Sequence, residues 1–169
     1  MLIIIGGLPG VGKTTIARQV ALKLKATLIR IDSLEQALLR SGLSPNGDLG
    51  PAGYMAAYAL AADNLRLGLT VLADSVNPIT LTRDAWRQVA LDAQSDFLEI
   101  EVICSDQKEH RRRVEARQSD IPSFILPTWA DVIARDYQAW NRERLVLDTA
   151  KLSVSQAVEA VCVASHNRR

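Results

Sequence analysis

Residues 7–14 read GLPGVGKT, which fits the spacing glycine, four residues, glycine, lysine, threonine without a mismatch. The apolar run LIII precedes this segment, and residues 14–24 carry apolar side chains on one helical face after it. Between a strand and a helix, such glycines let successive backbone N–H groups turn inward, and the positive end of the helix dipole adds to them. The segment therefore predicts a binding loop for a polyphosphate. Its members are Gly7, Pro9, Gly10, Val11, Gly12, Lys13 and Thr14.

Two side chains of this loop and one beyond it predict how the phosphates and a metal ion are held. We expect Lys13 to reach the β and γ phosphates and the Thr14 hydroxyl to ligate Mg²⁺. The ion needs an acidic second anchor at the end of a neighbouring strand, and Asp74 follows the apolar run TVLA at such a place. The alternative interpretation of Asp74 is a turn or cap residue.

A second carboxylate, Asp32, ends the run TLIRI and is a candidate for proton transfer. At that edge of a sheet it could accept the proton of an attacking hydroxyl, which is the acid–base task that phosphoryl transfer requires of a protein. It could instead cap the helix that begins with SLEQALL.

Arginines occur in the stretch HRRRVEAR, residues 110–117. Arg113 and Arg117 lie four positions apart, hence on one helix face, just before a loop with two prolines at 118–127. Either arginine could stabilise charge on a transferred phosphoryl group while a lid of about residues 110–127 closes over it. Otherwise the run is a solvated helix face.

Five short apolar runs alternate with helical stretches, and this alternation predicts the fold. The runs are residues 2–5, 27–31, 70–73, 97–104 and 145–147. Strands buried on both faces have such continuous apolar sequences. Parallel neighbours need crossover helices, so we predict a three-layer α/β/α fold around a five-stranded parallel sheet, with ligands at the carboxyl ends of the strands.

Local signals mark the ends of helices in this prediction. Helix starts resembling capping boxes are Ser33 with Gln36, Thr128 with Asp131, and Ser153 with Gln156, while Gly68 ends a helix that begins near Ala52. Trp129, Tyr137 and Trp140 have the spacing of one helix face packed on the core, and His110 and His166 have no evident role.

The length of 169 residues favours a single domain over residues 1–169, with a loop at 41–53 on the acceptor side. Lys and Arg total 20 against 19 Asp and Glu, so any basic binding site must be local.

The cysteines and the apolar runs indicate where the protein is found. Cys104 and Cys162 lie in apolar contexts typical of reduced thiols, and no apolar run approaches the length of a membrane span. We therefore expect a cytoplasmic protein.

Taken together, these residues resemble the P-loop kinases of the nucleotide-kinase-like group, which includes polynucleotide 5′-kinase domains, zeta toxins, chloramphenicol phosphotransferase, gluconate kinase and shikimate kinase. The segments that carry the resemblance are GLPGVGKTT, RIDS, GLTVLADSVNP, RVEAR and LVLDTA. The resemblance implies a P-loop NTPase fold with strand order 2-3-1-4-5 and ATP with Mg²⁺ as the phosphoryl donor. It further implies that Thr15 touches the α-phosphate, that Asp148 and Thr149 lie near the adenine, that Arg117 contacts the nucleotide, and that Asp32, Asn77 and Arg83 face the acceptor.

The expected function is transfer of the ATP γ-phosphoryl group to a hydroxyl of a small molecule, by a monomer or a homodimer. A polynucleotide 5′-hydroxyl kinase is disfavoured, because the chain is nearly neutral and the 41–53 loop has no Lys or Arg. A GTPase would need a guanine-binding N-K-x-D-like signature, and an oligomeric AAA+ machine a second helical domain. The remaining alternative is an ATP-sensing module without kinase activity.

Overall fold

The computed structural model describes residues 1–42 and 46–168, and in these ranges five strands form one parallel sheet. The strands are β1 (Leu2–Gly6), β2 (Thr27–Arg30), β3 (Val71–Asp74), β4 (Phe97–Ile103) and β5 (Leu145–Asp148). The helices are α1 (Lys13–Leu24), α2 (Ile31–Arg40), α3 (Ala52–Arg66), α4 (Thr80–Asp92), α5 (Gln107–Ala116), α6 (Trp129–Ala134) and α7 (Val154–His166). The sheet order β2-β3-β1-β4-β5 confirms the predicted three-layer fold.

Successive side chains of β1 point to opposite faces of the sheet, and each face is covered by its own layer of helices. Ile3 and Ile5 pack with α1 and α7 on one face of the sheet, whereas Leu2 and Ile4 pack with α3 and α4 on the other. All four side chains are fully buried, as expected for a central strand covered by helices on both sides. This double coverage fixes the sheet and leaves its carboxyl edge to the loops.

The register of the strands brings polar residues together at that edge. Asp74 at the end of β3 pairs with Ile5 of β1 on one side and with Arg30 of β2 on the other. On the other side of β1, Asp148 at the end of β5 pairs with Ile103 of the adjacent strand β4. The end of β1, where the glycine loop begins, therefore lies beside the candidate metal anchor.

Three capping boxes were predicted, and two of them are present. Thr128 and Ser153 each accept from the backbone of the residue three positions on, in complete boxes. The box at Ser33 is wrong, because α2 already begins at Ile31 and Ser33 is a helical residue. Asp32 consequently lies in the first turn of α2 rather than at the end of a strand, and Gly68 follows α3 with φ of +78° as expected.

The predicted aromatic helix and the predicted lid have different bounds in the structure. The aromatic helix predicted from Trp129 is wrong beyond Ala134, since Tyr137 and Trp140 lie outside any helix. Of the 41–53 loop, residues 43–45 lie outside the described residues. The first part of the 110–127 lid is helix α5, so the irregular segment is 117–128. Within the ranges 1–42 and 46–168, no helix is both long and apolar enough to span a membrane.

Ser153 caps a helix and Ser33 does not, so replacing them should change the free energy of unfolding by different amounts. Ser153→Ala removes the side-chain acceptor of the α7 cap and should lower the free energy of unfolding by about 1 kcal/mol. Ser33→Ala, in an exposed position within α2, should change it by less than about 0.5 kcal/mol. Urea denaturation of both variants measures the difference, and equal losses would contradict the helix start at Ile31.

Candidate functional site

The glycine loop between β1 and α1 has a backbone that only glycine adopts without strain. Gly7, Gly10 and Gly12 have φ of 144°, 85° and 97°. A Cβ at Gly7 would lie 2.2 Å from the Val102 carbonyl oxygen, and one at Gly10 would lie 2.4 Å from Val114 Cγ2. The loop is thus pressed against β4 and α5, and its shape is set before any ligand binds.

Lys13, Thr14 and Asp74 meet at the start of α1. The Thr14 hydroxyl donates to Asp74 Oδ2 at 2.7 Å, and Lys13 Nζ donates to the Leu8 carbonyl at 3.0 Å. Burial lowers the pKa of Lys13 and raises that of Asp74, and in each case the opposite charge of the other residue opposes the shift. Each of the two charges therefore partly offsets the cost of burying the other.

The predicted Mg²⁺ ligands lie next to each other and fit the ion. One hydroxyl and one buried carboxylate are oxygen donors of the kind that Mg²⁺ binds together with substrate phosphates and water. In the described part of the chain, no group of three His, Cys, Asp or Glu side chains could hold a metal by itself. An ion bound at Thr14 and Asp74 would need further oxygen ligands from a phosphate and from water.

A cavity of about 1030 Å³ opens from the loop toward α2, α3 and the segment 117–128. Asp32 lines it beside the phosphate loop, and Arg30 Nη2 lies 4.0 Å from Asp32 Oδ2 while Arg30 Nε lies 4.0 Å from Asp74 Oδ2. Arg30 therefore lies between the two carboxylates. The basic side chains that line the cavity are Lys13, Arg18, Arg30, Arg112, Arg113, Arg117 and Arg135, and the acidic ones are Asp32, Glu35, Asp120 and Asp131.

The two arginines predicted at the lid differ in their surroundings. Arg113 donates to Glu109 Oε1 at 2.7 Å, to the Thr149 hydroxyl at 2.8 Å and to the Thr149 carbonyl at 3.1 Å. Arg117 lies just after α5, and its Nε is buried without a hydrogen-bond partner among the described residues. Burial lowers the pKa of Arg117, and the charge of Asp32 opposes that shift. Arg117 is thus the arginine whose charge is left for a ligand.

Thr149 ties the predicted base-binding region to the loop. Its hydroxyl lies 2.9 Å from the Val11 carbonyl oxygen, and a cavity of about 350 Å³ opens beside it. Gly12, Thr15, Arg113, Thr149 and Val154 are among the residues that line this cavity. Asp148 instead accepts from the Ser105 hydroxyl at 2.6 Å, and hydrogen bonds from Ser105 lower the pKa of Asp148 to about 2. Gly12, Thr15 and Arg113 line both cavities, so the two cavities are neighbours.

Two predicted acceptor residues lie outside the large cavity. Arg83 is buried beneath it, and its guanidinium stacks on Trp140 with 4.2 Å to the ring centroid. Its donors are taken up by the carbonyls of Asn77, Pro78, Gln138 and Ala139. Asn77 is fully buried with φ of 51°, and among the described residues its side-chain amide has no hydrogen-bond partner. Neither residue lines the cavity that Asp32 lines.

Several residues of the site escaped the sequence analysis. His110, which had no expected role, is buried and its Nε2 lies 2.8 Å from the Pro9 carbonyl oxygen, so α5 supports the phosphate loop. Arg30 is a charged residue at the carboxyl end of an otherwise apolar strand, a signal that could have identified it. For Arg18, Tyr54 and Asp120 no local pattern exists, because only the fold brings them to one cavity.

The family described as "AAA domain" matches residues 2–126. The matched residues include the glycine loop and the first four strands of the sheet. Among curated proteins, none matches this sequence significantly.

Solved structures with the same fold include several kinases. A protein from Chloroflexus aurantiacus, whose kinase assignment is provisional, is 20% identical over 99% of this chain and 97% of its own, with a TM-score of 0.74. The APS kinase of Mycobacterium tuberculosis, in complex with AMPPNP and APS, is 25% identical with coverages of 97% and 96% and a TM-score of 0.62. A gluconokinase from Sinorhizobium meliloti is 18% identical with coverages of 98% and 93% and a TM-score of 0.63. The chain therefore has the fold of a nucleotide-kinase-like P-loop protein.

The close approach at Gly10 predicts the effect of a single methyl group. Gly10→Ala combines a positive φ with a contact against Val114, and should lower the free energy of unfolding by about 1–3 kcal/mol more than Gly68→Ala. Gly68→Ala is the matched control because its φ is +78° and its Cβ would meet open space. Urea denaturation measures stability, and calorimetry should find weaker ATP binding for Gly10→Ala alone. Equal losses in the two variants would show that the contact with α5 is unimportant.

Proposed function

The chain belongs to the AAA domain family, and on that premise we propose that it transfers the γ-phosphoryl group of ATP to a hydroxyl of a small-molecule acceptor. The observation that carries the proposal is the arrangement around the phosphate loop. Lys13, Thr14 and Asp74 lie at the loop, while Asp32 and Arg117 line the cavity that opens from it. A nucleotide-binding loop with these groups in an open cavity has the parts that phosphoryl transfer requires.

The donor nucleotide would be held mainly by fixed dipoles. Backbone N–H groups of the loop and the N-terminus of α1 would bind phosphate oxygens, and Lys13 would leave the Leu8 carbonyl to contact the β and γ phosphates. The adenine ring of ATP would occupy the smaller cavity beside Thr149, with Thr15 at the α-phosphate. No guanine signature is present in the sequence, which favours ATP over GTP.

Thr14 and Asp74 would hold the Mg²⁺ ion that accompanies the nucleotide. When bound, the ion supplies charge neutralisation on the β and γ phosphates and helps to align them. The buried Asp74 carboxylate accepts from Thr14, which keeps both oxygens in position for the ion. The adjacent Arg30 partly offsets the effect of burial on the Asp74 pKa.

Asp32 would orient the acceptor hydroxyl and take its proton. It lies at the N-terminal turn of α2, in the cavity wall beside the phosphate loop. Its side chain is 37% exposed, so an acceptor can reach it from the cavity. Proton transfer from the hydroxyl to the carboxylate would accompany attack on the γ-phosphorus.

Arg117 would stabilise the charge that spreads over the transferred group. Its buried Nε makes no hydrogen bond in the described ranges, whereas Arg113 is held by Glu109 and Thr149. A guanidinium that is already half-buried in the wall of the cavity needs little reorganisation when negative charge develops. Arg113 would instead keep Thr149 and the loop in place.

An acceptor screen tests the proposed activity. With ATP and Mg²⁺, pools of small hydroxylated metabolites and a 5′-hydroxyl oligonucleotide are assayed for ADP formation. We expect turnover that depends on one small-molecule pool and disappears in Lys13→Ala, because the loop lysine holds the phosphates. Tight ATP binding without turnover in any pool would favour the sensing module. Turnover with the oligonucleotide alone would favour a polynucleotide kinase.

Substitution of Asp32 tests whether this carboxylate removes the proton from the acceptor hydroxyl. Asp32→Asn preserves the size of the side chain but cannot accept the proton, so kcat should fall by about 10²-fold or more while ATP binding is unchanged. Asp63→Asn is the control, because Asp63 is an exposed residue of α3 that pairs only with Arg66 among the described residues. Normal transfer by Asp32→Asn would mean that another group removes the proton.

A further inference from the structure

Asp120, in the irregular segment 117–128, lies between two arginines of the large cavity. Its Oδ2 accepts from Arg18 Nη2 of α1 and from Arg30 Nη1 of β2, the latter at 2.9 Å, and Oδ1 lies 2.9 Å from the same Arg30 nitrogen. Hydrogen bonds from both arginines lower the pKa of Asp120 to about 2, although burial opposes the shift. Two guanidinium groups from separate elements thus converge on one carboxylate.

The Asp120 carboxylate lies in an irregular part of the cavity wall and is half-exposed to solvent. The segment 117–128 has no helix or strand, and the side chains of Asp120 and Arg18 are 45% and 50% exposed. An ion pair exposed to this degree adds little to stability. Arg30 is mostly buried and needs an anionic partner, so another anion could take the place of Asp120 provided that it reaches the same two guanidinium groups.

The position of Arg30 relates this anion site to the proposed chemistry. The guanidinium bonded to Asp120 through Nη1 points its Nη2 toward Asp32, at 4.0 Å, and only 13% of the side chain is exposed. An anion at the position of Asp120 would thus lie one guanidinium group away from the carboxylate that receives the acceptor hydroxyl. A single small molecule could occupy both places.

We propose that the acceptor carries a carboxylate or phosphate a few bonds from its reacting hydroxyl, and that Arg18 and Arg30 bind this anion in place of Asp120. This inference rests on the proposed kinase function, because only a kinase has an acceptor. Asp120 is then an internal competitor that fills the acceptor site until the acceptor displaces it. The overall near-neutrality of the chain conceals such a site, because its two arginines lie on different elements, α1 and β2, and form no basic run in the sequence.

Anion binding can be measured without any phosphoryl transfer. The full chain is saturated with AMPPNP and Mg²⁺ so that the phosphate loop is filled, and inorganic phosphate is then titrated by calorimetry. Asp120→Asn should bind phosphate about tenfold more tightly than the unaltered chain, because the internal competitor has lost its charge, and Arg18→Ala about tenfold more weakly. Arg66→Ala, an exposed arginine of α3 paired with Asp63, is the control and should bind phosphate as the unaltered chain does.

Three-carbon probes distinguish the chemistry of the anion. Glycerate, glycerol 3-phosphate and glycerol share a skeleton with hydroxyls but carry a carboxylate, a phosphate and no charge. We expect at least one anionic probe to compete with inorganic phosphate, and glycerol not to do so. Competition by glycerate or by glycerol 3-phosphate alone identifies the preferred anion.

Unchanged phosphate affinity in both Asp120→Asn and Arg18→Ala, each shown to be folded by circular dichroism, would overturn the inference. Efficient phosphorylation of a neutral acceptor with no effect of Arg18→Ala on its KM would also overturn it, while leaving the proposed kinase function intact. Conversely, anion binding with the predicted variant effects but no turnover in the acceptor screen would count against the kinase function alone.

Discussion

The structure depends on the tight seating of the glycine loop against its neighbours. At Gly7 a side chain would run into the Val102 carbonyl, and at Gly10 into Val114. His110 adds a contact to the Pro9 carbonyl from the same helix as Val114. A loop held in this way presents its N–H groups in a fixed arrangement, so the cost of ordering an anion nest is met during folding rather than on binding.

The distribution of charge follows from the sheet. Parallel strands end at one edge, and here that edge carries Arg30 and Asp74 on one side of the loop and Asp148, at the end of β5, on the other. A chain with 20 basic and 19 acidic residues thereby gains a cavity lined by more basic than acidic side chains. The positive potential needed to bind phosphates is local, and it is strongest where burial limits screening by water.

The arginines in and around the cavity divide into those that the fold already holds and those that remain available to a ligand. Arg113 and Arg83 have their donors engaged by neighbouring carbonyls and side chains, so they hold elements of the fold in place. Arg117 keeps a buried nitrogen without a partner in the described ranges, and Arg18 has only the lid carboxylate of Asp120 there. This division underlies the proposed roles, because a side chain can stabilise a ligand only with donors that the fold has not already used.

Local sequence determined the sheet, the phosphate loop and two of the three helix caps. Each depends on residues close in the chain: apolar runs for the strands, glycines for a backbone with positive φ, and a Ser or Thr three residues before its partner at the caps. The error at Ser33 has a local cause as well, since α2 starts directly at the end of β2 and leaves no separate capping residue.

Only the tertiary structure decided which charged residues meet. Arg18, Arg30 and Asp120 belong to α1, β2 and the 117–128 segment, and their contacts depend on the path of that segment. For the same reason Arg83 faced the acceptor in the sequence interpretation but is enclosed by the backbone of residues 138–139 in the fold. Backbone preferences are short-ranged and can be inferred from neighbouring residues, whereas side-chain partners across the fold are set by packing that no local pattern encodes.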